Sequence, residues 1–350
     1  MRGERWYKYG DLVLQFRILL IKLFLHPHII TSLSLGRQDI MMFTKSQYVS
    51  ALVALLPLCA TALPATPAKH LVARASGNPF SGYQFCPVPQ YSDEIKTNAI
   101  PNLTSDLKAA ASEVADSIGT FFWMDTADKV PVMGKYLANI QALNDAGASP
   151  PYMGQFVVYD LPDRDCAALA SNGEYSIAKN CLANYKAYVD AIAKQVQAYP
   201  DVNIAFVVEP DSLANMVTNL NVQKCANAAD TYKTGVAYAL KNLDFDNVSM
   251  YMDAGHAGWL GWAANIQPAA QLFAQIYKDA GSPAAVCGLA TNVANYNAWS
   301  VTTCAAYTQG DNNCDEKRYV NALGPLLEAE GFPAHFITDT GRNGVQPTSQ

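Results

Sequence analysis

Charge is what this chain has least of. Charged residues make up 15% of its 350 residues, while half are hydrophobic, so a sizeable core is within reach. The charge is also unevenly spread. Residues 1–74 hold 9 of the 24 Lys and Arg but only 3 of the 30 Asp and Glu; the remainder carries 15 basic and 27 acidic residues, net −12. A body this acidic has no electrostatic footprint for nucleic acid or an anionic membrane, and suits a neutral substrate. Histidine is scarce too, at five. His256 has no second His or Cys at ligand spacing, which speaks against a metal site. The cysteines form no zinc ribbon and no CxxC redox motif, and no nucleotide-binding glycine fingerprint is present. There is no internal repeat, no Ser/Thr/Pro-rich linker and no Cys-rich binding module. Uninterrupted apolar runs long enough to span a membrane are also lacking. Phe16 to Leu35 is broken by Lys22, His26, Pro27 and His28, so a signal anchor there is the weaker reading.

The amino-terminal region carries a different signal. Met41 and Met42 precede Lys45, the apolar run Val49 to Leu58 and the small-residue site Ala60-Thr61-Ala62. That layout is a secretory signal peptide over 41–62. Residues 1–40 then read as a gene-model extension, 63–76 as a propeptide or short linker, and 77–350 as the folded domain of a secreted, extracellular protein. Seven of the eight cysteines lie beyond the signal peptide: Cys86, Cys166, Cys181, Cys225, Cys287, Cys304 and Cys314. In an oxidising compartment disulfides are the default, and an odd number leaves one partner absent or one thiol free. Cys304 and Cys314 could close a single loop. Asn102-Leu103-Thr104 and Asn247-Val248-Ser249 are glycosylation acceptors in such a protein.

From Ser105 onward two periodicities alternate. Helical patterns cover Leu107 to Ser117, Met133 to Ala146, Asn184 to Gln197, Gln223 to Leu240, Pro268 to Ala280 and Asp315 to Glu330. Short apolar runs lie between and after them, at Thr120 to Met124, Gln155 to Tyr159, Ile204 to Val208, Ser249 to Met252, Gly288 to Thr291 and His335 to Thr338. Regular β/α alternation implies a parallel sheet with helices outside it. Each run is followed by a polar residue: Asp125, Asp160, Asp211, Asp253, Asn292 and Asp339. Polar groups at the carboxyl ends of successive strands mark the active face of an α/β barrel.

Two of these strand ends carry the chemistry. Val157-Val158-Tyr159-Asp160-Leu161-Pro162-Asp163-Arg164-Asp165-Cys166 and Val207-Val208-Glu209-Pro210-Asp211-Ser212 each run from a buried strand into a loop of carboxylates. A general acid needs a raised pKa, which burial or a neighbouring carboxylate supplies. On position alone, Asp211 could equally cap the helix that follows it, together with Ser212. Asp165 could be one more acid in a surface ion pair with Arg164, and Tyr159 a core aromatic with its hydroxyl satisfied.

The two segments, YDLPDRDCAALASNGEYSI from Tyr159 and EPDSLANMVTN from Glu209, resemble the family 6 glycoside hydrolases, the cellobiohydrolases and endoglucanases of fungi and bacteria. The resemblance runs from about Ala75 to Gln350. It implies a distorted parallel β/α barrel with fewer than eight strands. It implies hydrolysis of β-1,4-glucosidic bonds in cellulose with inversion, by a monomer that needs no cofactor and binds neither membrane nor nucleic acid. Asp211 would be the acid that protonates the glycosidic oxygen, and Asp165 would raise its pKa and stabilise positive charge at the anomeric carbon. Tyr159 would distort the scissile sugar, and Ser171 would hold the attacking water. Trp123, Trp259 and Trp262 would be stacking platforms, with Asp125, His256 and Asn295 binding hydroxyls. The family pairs the positions of Cys166 and Cys225. Asp339 to Pro347 matches a segment that the family follows with roughly a further quarter of the domain, so the barrel is expected to be incomplete here and this chain's own activity is left open. That last quarter also holds a candidate for the catalytic base, beside Asp165. The long loop Ser171 to Cys181 leans towards release of cellobiose from chain ends. Alternatives are an endoglucanase of the same family or an inactive glycan-binding fragment.

Overall fold

The computed structural model describes residues 78–168 and 171–343. The signal peptide, the residues before it and the propeptide lie outside the described residues. Seven parallel strands form one curled sheet among these residues. They are β1 (Gln84–Phe85), β2 (Phe122–Met124), β3 (Tyr152–Val158), β4 (Ile204–Val208), β5 (Val248–Asp253), β6 (Val286–Thr291) and β7 (His335–Thr338). The spatial order is β1-β3-β4-β5-β6-β7, with β2 also on β3 beyond the short β1. Consecutive parallel strands need crossovers. Those are supplied by α1 (Pro89–Glu94), α2 (Ser105–Ser117), α3 (Val130–Asp145), α4 (Leu182–Ala198), α5 (Leu213–Thr218), α6 (Gln223–Asn242), α7 (Ala257–Leu260), α8 (Ile266–Asp279) and α9 (Glu316–Ala329). The result is an α/β half-barrel.

The sheet has a packed outer face and a separate inner one, because side chains alternate along a strand. Phe156, Val158, Phe206, Val208, Met250, Met252 and Leu289 join the helices in the main core. Val157, Tyr159, Val207, Tyr251 and Ala290 form a second cluster on the concave side, against Phe80, Trp123 and Ile337. Phe80 stacks on Tyr251 with ring centroids 5.9 Å apart. The helices present small and aromatic residues at helical spacing. In α6, Cys225, Ala228, Tyr232, Gly235, Val236 and Ala239 are all buried, a stripe at i, i+3 and i+4 that seats the helix on the sheet.

The observed elements extend the sequence reading more than they correct it. β4 and β7 have the expected bounds. β3 starts at Tyr152, earlier than its β-branched run, because pairing with β1 recruits Tyr152 and Met153. It stops at Val158, so Tyr159 stands just past the strand. α3 begins three residues early, at Val130, because Pro131 fits the first turn of a helix, where its missing N–H costs nothing. β1, α1, α5 and α7 are too short to leave a periodic signature.

In-register pairing positions the site. Val158 pairs with Val208, Val208 with Met252, Met252 with Leu289 and Leu289 with Phe336. The strands therefore end nearly level, and the residues after them share one rim.

Candidate active site

The carboxyl rim is built from residues in an uncommon backbone conformation. Asp163, Asp165, Glu209, Asp211, Asn292 and Ala294 all have φ between 52° and 59°. Non-glycine residues pay about 1 kcal/mol or more for this left-handed region, and such residues gather at functional sites. Glu209 and Asn292 adopt it immediately after β4 and β6, and the other four adopt it within the loops beyond the strands.

Asp211 stands three residues beyond β4. Its backbone N–H donates to Asp253 Oδ2 at 3.1 Å, and Gly255 N–H donates to the same oxygen at 3.1 Å. Asn215 Nδ2 bonds its carbonyl one turn into α5. Burial, and then the negative charge of Asp165, push the Asp211 carboxyl up to about 6. Burial also raises Asp165, against Lys224, Arg164 and a hydrogen bond from the Ser171 backbone. The buried Tyr159 hydroxyl bonds the Ser171 side chain, and burial raises its pKa, with Asp211 and Asp165 adding to the rise. Trp123 meets Tyr159 edge to face, with centroids 5.2 Å apart. The structure thus brings Asp211, Asp165, Tyr159, Ser171 and Trp123 together.

Arg164 organises this cluster. Its guanidinium lies 4.3 Å from the Tyr159 ring centre. It donates to the carbonyls of Ser171 at 3.0 Å, of Asp125 at 2.7 Å, and of Tyr159. Lys224 Nζ reaches Asn172 Oδ1 at 2.8 Å. Cys166 and Cys225 are joined in a disulfide, so the Asp165 loop is fastened to α6 at two adjacent points. Beneath the loops lies Glu209, with no exposed surface. It accepts the N–H of Asp160 at 3.1 Å and of Leu161 at 3.4 Å. One carboxylate therefore spans both acid loops. Burial raises it to about 7, against hydrogen bonds from Asp160, Tyr185 and Leu161.

A second group lies along the rim. His256 and Trp259 have ring centroids 6.0 Å apart. Trp259 Nε1 donates to Thr218 Oγ1 at 2.7 Å, at the end of α5, and Trp262 Nε1 to the Gly258 carbonyl at 2.8 Å. Burial pushes His256 down to about 4. Asn295 sits in the loop after β6, its Oδ1 accepting from Tyr296 N–H at 2.7 Å. Asp125, after β2, is half-exposed with Lys129 Nζ 3.6 Å away. Asp253 bridges the two groups through its bonds to Asp211 and Gly255.

Sequence reasoning singled out Asp253 only as a strand-end residue, and missed Asn297 and Glu316 beside His256. Asn102 is exposed, with Nδ2 bonded to the Asn98 carbonyl at 2.9 Å. Asn247 lies at the opposite end of the strands, its Nδ2 bonded to the carbonyls of Val202 at 2.8 Å and Tyr199 at 3.2 Å. Cys304 and Cys314 are joined, while Cys86, Cys181 and Cys287 are free thiols. Among the described residues no helix is long and apolar enough to cross a membrane, and no group of three or more His, Cys, Asp or Glu could hold a metal ion.

Asp165, Asp211 and three indoles gathered on the carboxyl rim of a curled parallel sheet are the arrangement expected of the α/β-barrel class of proteins. The chain belongs to the glycosyl hydrolases family 6, whose sequence model matches residues 80–350. It is 68% identical over 275 residues to a probable 1,4-beta-D-glucan cellobiohydrolase C of Aspergillus fumigatus, covering 79% of this chain and 60% of that protein. It is 61% identical over 282 residues to 1,4-beta-D-glucan cellobiohydrolase C of Emericella nidulans, covering 80% and 62%. The chain thus spans about three fifths of the length of these relatives. Among solved structures, the catalytic core domain of a cellobiohydrolase from Chaetomium thermophilum superposes with a TM-score of 0.77 at 60% identity, covering 79% of this chain and 77% of that one. Cellobiohydrolase II from Humicola insolens, solved with glucose and cellotetraose, gives 0.76 at 58% identity, covering 78% and 76%.

Proposed function

We propose that this protein hydrolyses β-1,4-glucosidic bonds of cellulose with inversion, releasing cellobiose from chain ends. The observation that carries the reading is the part-buried Asp211 carboxyl, raised to about 6 by desolvation and by Asp165 as its charged neighbour. A carboxyl so placed keeps its proton in mildly acidic solution and can deliver it to a glycosidic oxygen. The positive charges of Lys224 and Arg164 and the Ser171 N–H favour the ionised Asp165, whose negative charge favours both the protonated Asp211 and positive charge developing at the anomeric carbon. Tyr159 and Ser171 shape the subsite where the ring distorts and water enters. Trp123, Trp259 and Trp262 offer flat faces to the apolar C–H surfaces of glucose, and Asp125, His256 and Asn295 take its hydroxyls. The relatives' names supply the substrate class. The loop from Ser171 to Cys181, tied down by Arg164 and Lys224, supports action at chain ends. The fold's disulfides suit a secreted, extracellular protein, and the acid–base chemistry calls on no cofactor.

Digestion of cello-oligosaccharides, followed by proton NMR before mutarotation, tests this. Inversion of a β bond gives α-configured cellobiose first. A β signal appearing first would overturn inversion, and no release of sugar would overturn the hydrolase reading.

A further inference from the structure

We infer that Asn297 and Glu316 are positioning residues that lock His256 as the tautomer with its proton on Nε2, so that the ring meets a sugar hydroxyl only as a hydrogen-bond donor. This rests on the glucan-binding role proposed for His256.

One group beside the ring has a fixed polarity. The backbone N–H of Ala257 can only donate, and it lies 2.8 Å from Glu316 Oε1. That oxygen is therefore an acceptor. It remains one if burial, which raises this carboxyl, leaves a proton on the other oxygen. The Asn297 side chain also lies 3.1 Å from Oε1. Its amide oxygen there would set two acceptors face to face, so Nδ2 occupies the position. The second hydrogen of Nδ2 then points to His256 Nδ1, also 3.1 Å away. Nδ1 must accept it and carries no proton. A neutral imidazole with a bare Nδ1 bears its proton on Nε2. The ring is kept neutral because its burial pushes its pKa down to about 4.

The relay is rigid. Asn297 is 7% exposed and Glu316 not at all. Asn297 N–H donates to Asn292 Oδ1 at 3.1 Å, and its carbonyl accepts from Asn292 Nδ2 at 3.0 Å. Glu316 opens α9 with its own N–H bonded to the Ala298 carbonyl at 3.1 Å. The three groups come from the loops after β5 and β6 and from the start of α9. Their alignment is tertiary, made by contacts between segments distant in sequence. Fixing the tautomer fixes the polarity of one subsite: a hydroxyl there must offer a lone pair, and its own hydrogen stays free to donate elsewhere.

The experiment is a long-range proton–nitrogen NMR spectrum of the full chain with ¹⁵N-labelled histidine at neutral pH, with His256 identified by the signal lost in His256→Gln. The expected spectrum shows Nδ1 unprotonated and Nε2 protonated. In Asn297→Ala no donor reaches Nδ1, so the proton is no longer confined to Nε2 and the Nδ1 signal should move towards that of a mixture of tautomers. Affinity for cellotetraose should then fall by about tenfold, the value of one hydrogen bond. The same substitution placed in His256→Gln should cost nothing further, which a merely structural role for Asn297 would not reproduce. A proton on Nδ1 in the unsubstituted protein, or an equal loss of affinity in both backgrounds, would overturn the inference. Failure of the unsubstituted protein to bind cellotetraose would count against the glucan reading alone, because the spectrum reports the tautomer without any ligand.

Discussion

Replacing Glu209 by Gln should flatten the pH dependence of stability on the neutral side. Glu209 is buried without exposed surface, and its carboxyl is raised from 4.5 to about 7. The folded state therefore holds its proton more tightly than the unfolded chain does. The stability from that preference is fully present below 4.5 and is lost as pH rises through about 7. A rise of that size corresponds to about 3 kcal/mol at 1.36 kcal/mol per pH unit. Asp160 acts in the same direction: burial, then the charges of Glu174 and Glu209, raise it to about 9, with Arg164 opposing at 3.4 Å. Urea unfolding followed by far-UV circular dichroism, at intervals from pH 4.5 to 7.5, should show stability falling with pH. In Glu209→Gln the fall should be smaller by up to about 3 kcal/mol. The variant should also be less stable at pH 4.5, because both Glu209 oxygens accept backbone N–H groups and an amide NH₂ cannot. Stability that rises across this range, or a variant with the unsubstituted slope, would mean that folding does not raise the affinity of Glu209 for its proton.

Other outcomes follow from the packing. Gly288→Ala should cost about 3 kcal/mol or more in denaturant unfolding, since an added Cβ would lie 1.8 Å from the His335 carbonyl oxygen of the neighbouring strand. Retention of full stability would mean that β6 and β7 are not paired as described. Cys166→Ser with Cys225→Ser opens a crosslink between residues 59 apart, and chain entropy sets the expected loss at about 4 kcal/mol. Thr218→Val removes the acceptor of the Trp259 indole N–H at 2.7 Å. It should weaken cellotetraose binding by up to about tenfold and shift tryptophan fluorescence, while leaving the thermal unfolding midpoint within a few degrees.

Much of this fold can be read along the chain because its signals are local. β4 is five buried residues, Ile204–Val208, and its β-branched run announces both bounds. α6 carries its buried stripe in the expected spacing. The acids near strand ends are equally local, since Glu209-Pro210-Asp211 follows directly on β4 and Asp163-Arg164-Asp165 begins five residues after β3. What sequence conceals is made by contacts between distant segments. Asp253 reaches Asp211 across 42 positions, and Glu316 reaches Ala257 across 59. Nothing adjacent to Glu316 distinguishes it from any acid in the first turn of a helix, where such residues are common for their effect on the helix dipole. The role of Glu209 is hidden for the same reason: its partners Asp160 and Leu161 lie 49 and 48 positions away.

In the mechanism proposed above, Asp211 supplies the proton to the departing sugar. Asp211→Asn keeps the shape of the side chain and removes only that proton. Hydrolysis of cellotetraose by the variant should fall by about a thousandfold, while the dissociation constant of cellotetraose, measured by calorimetry on the same preparation, stays nearly unchanged. A variant that keeps more than about a tenth of the unsubstituted rate would contradict the account, because general-acid catalysis is expected to contribute a hundredfold or more.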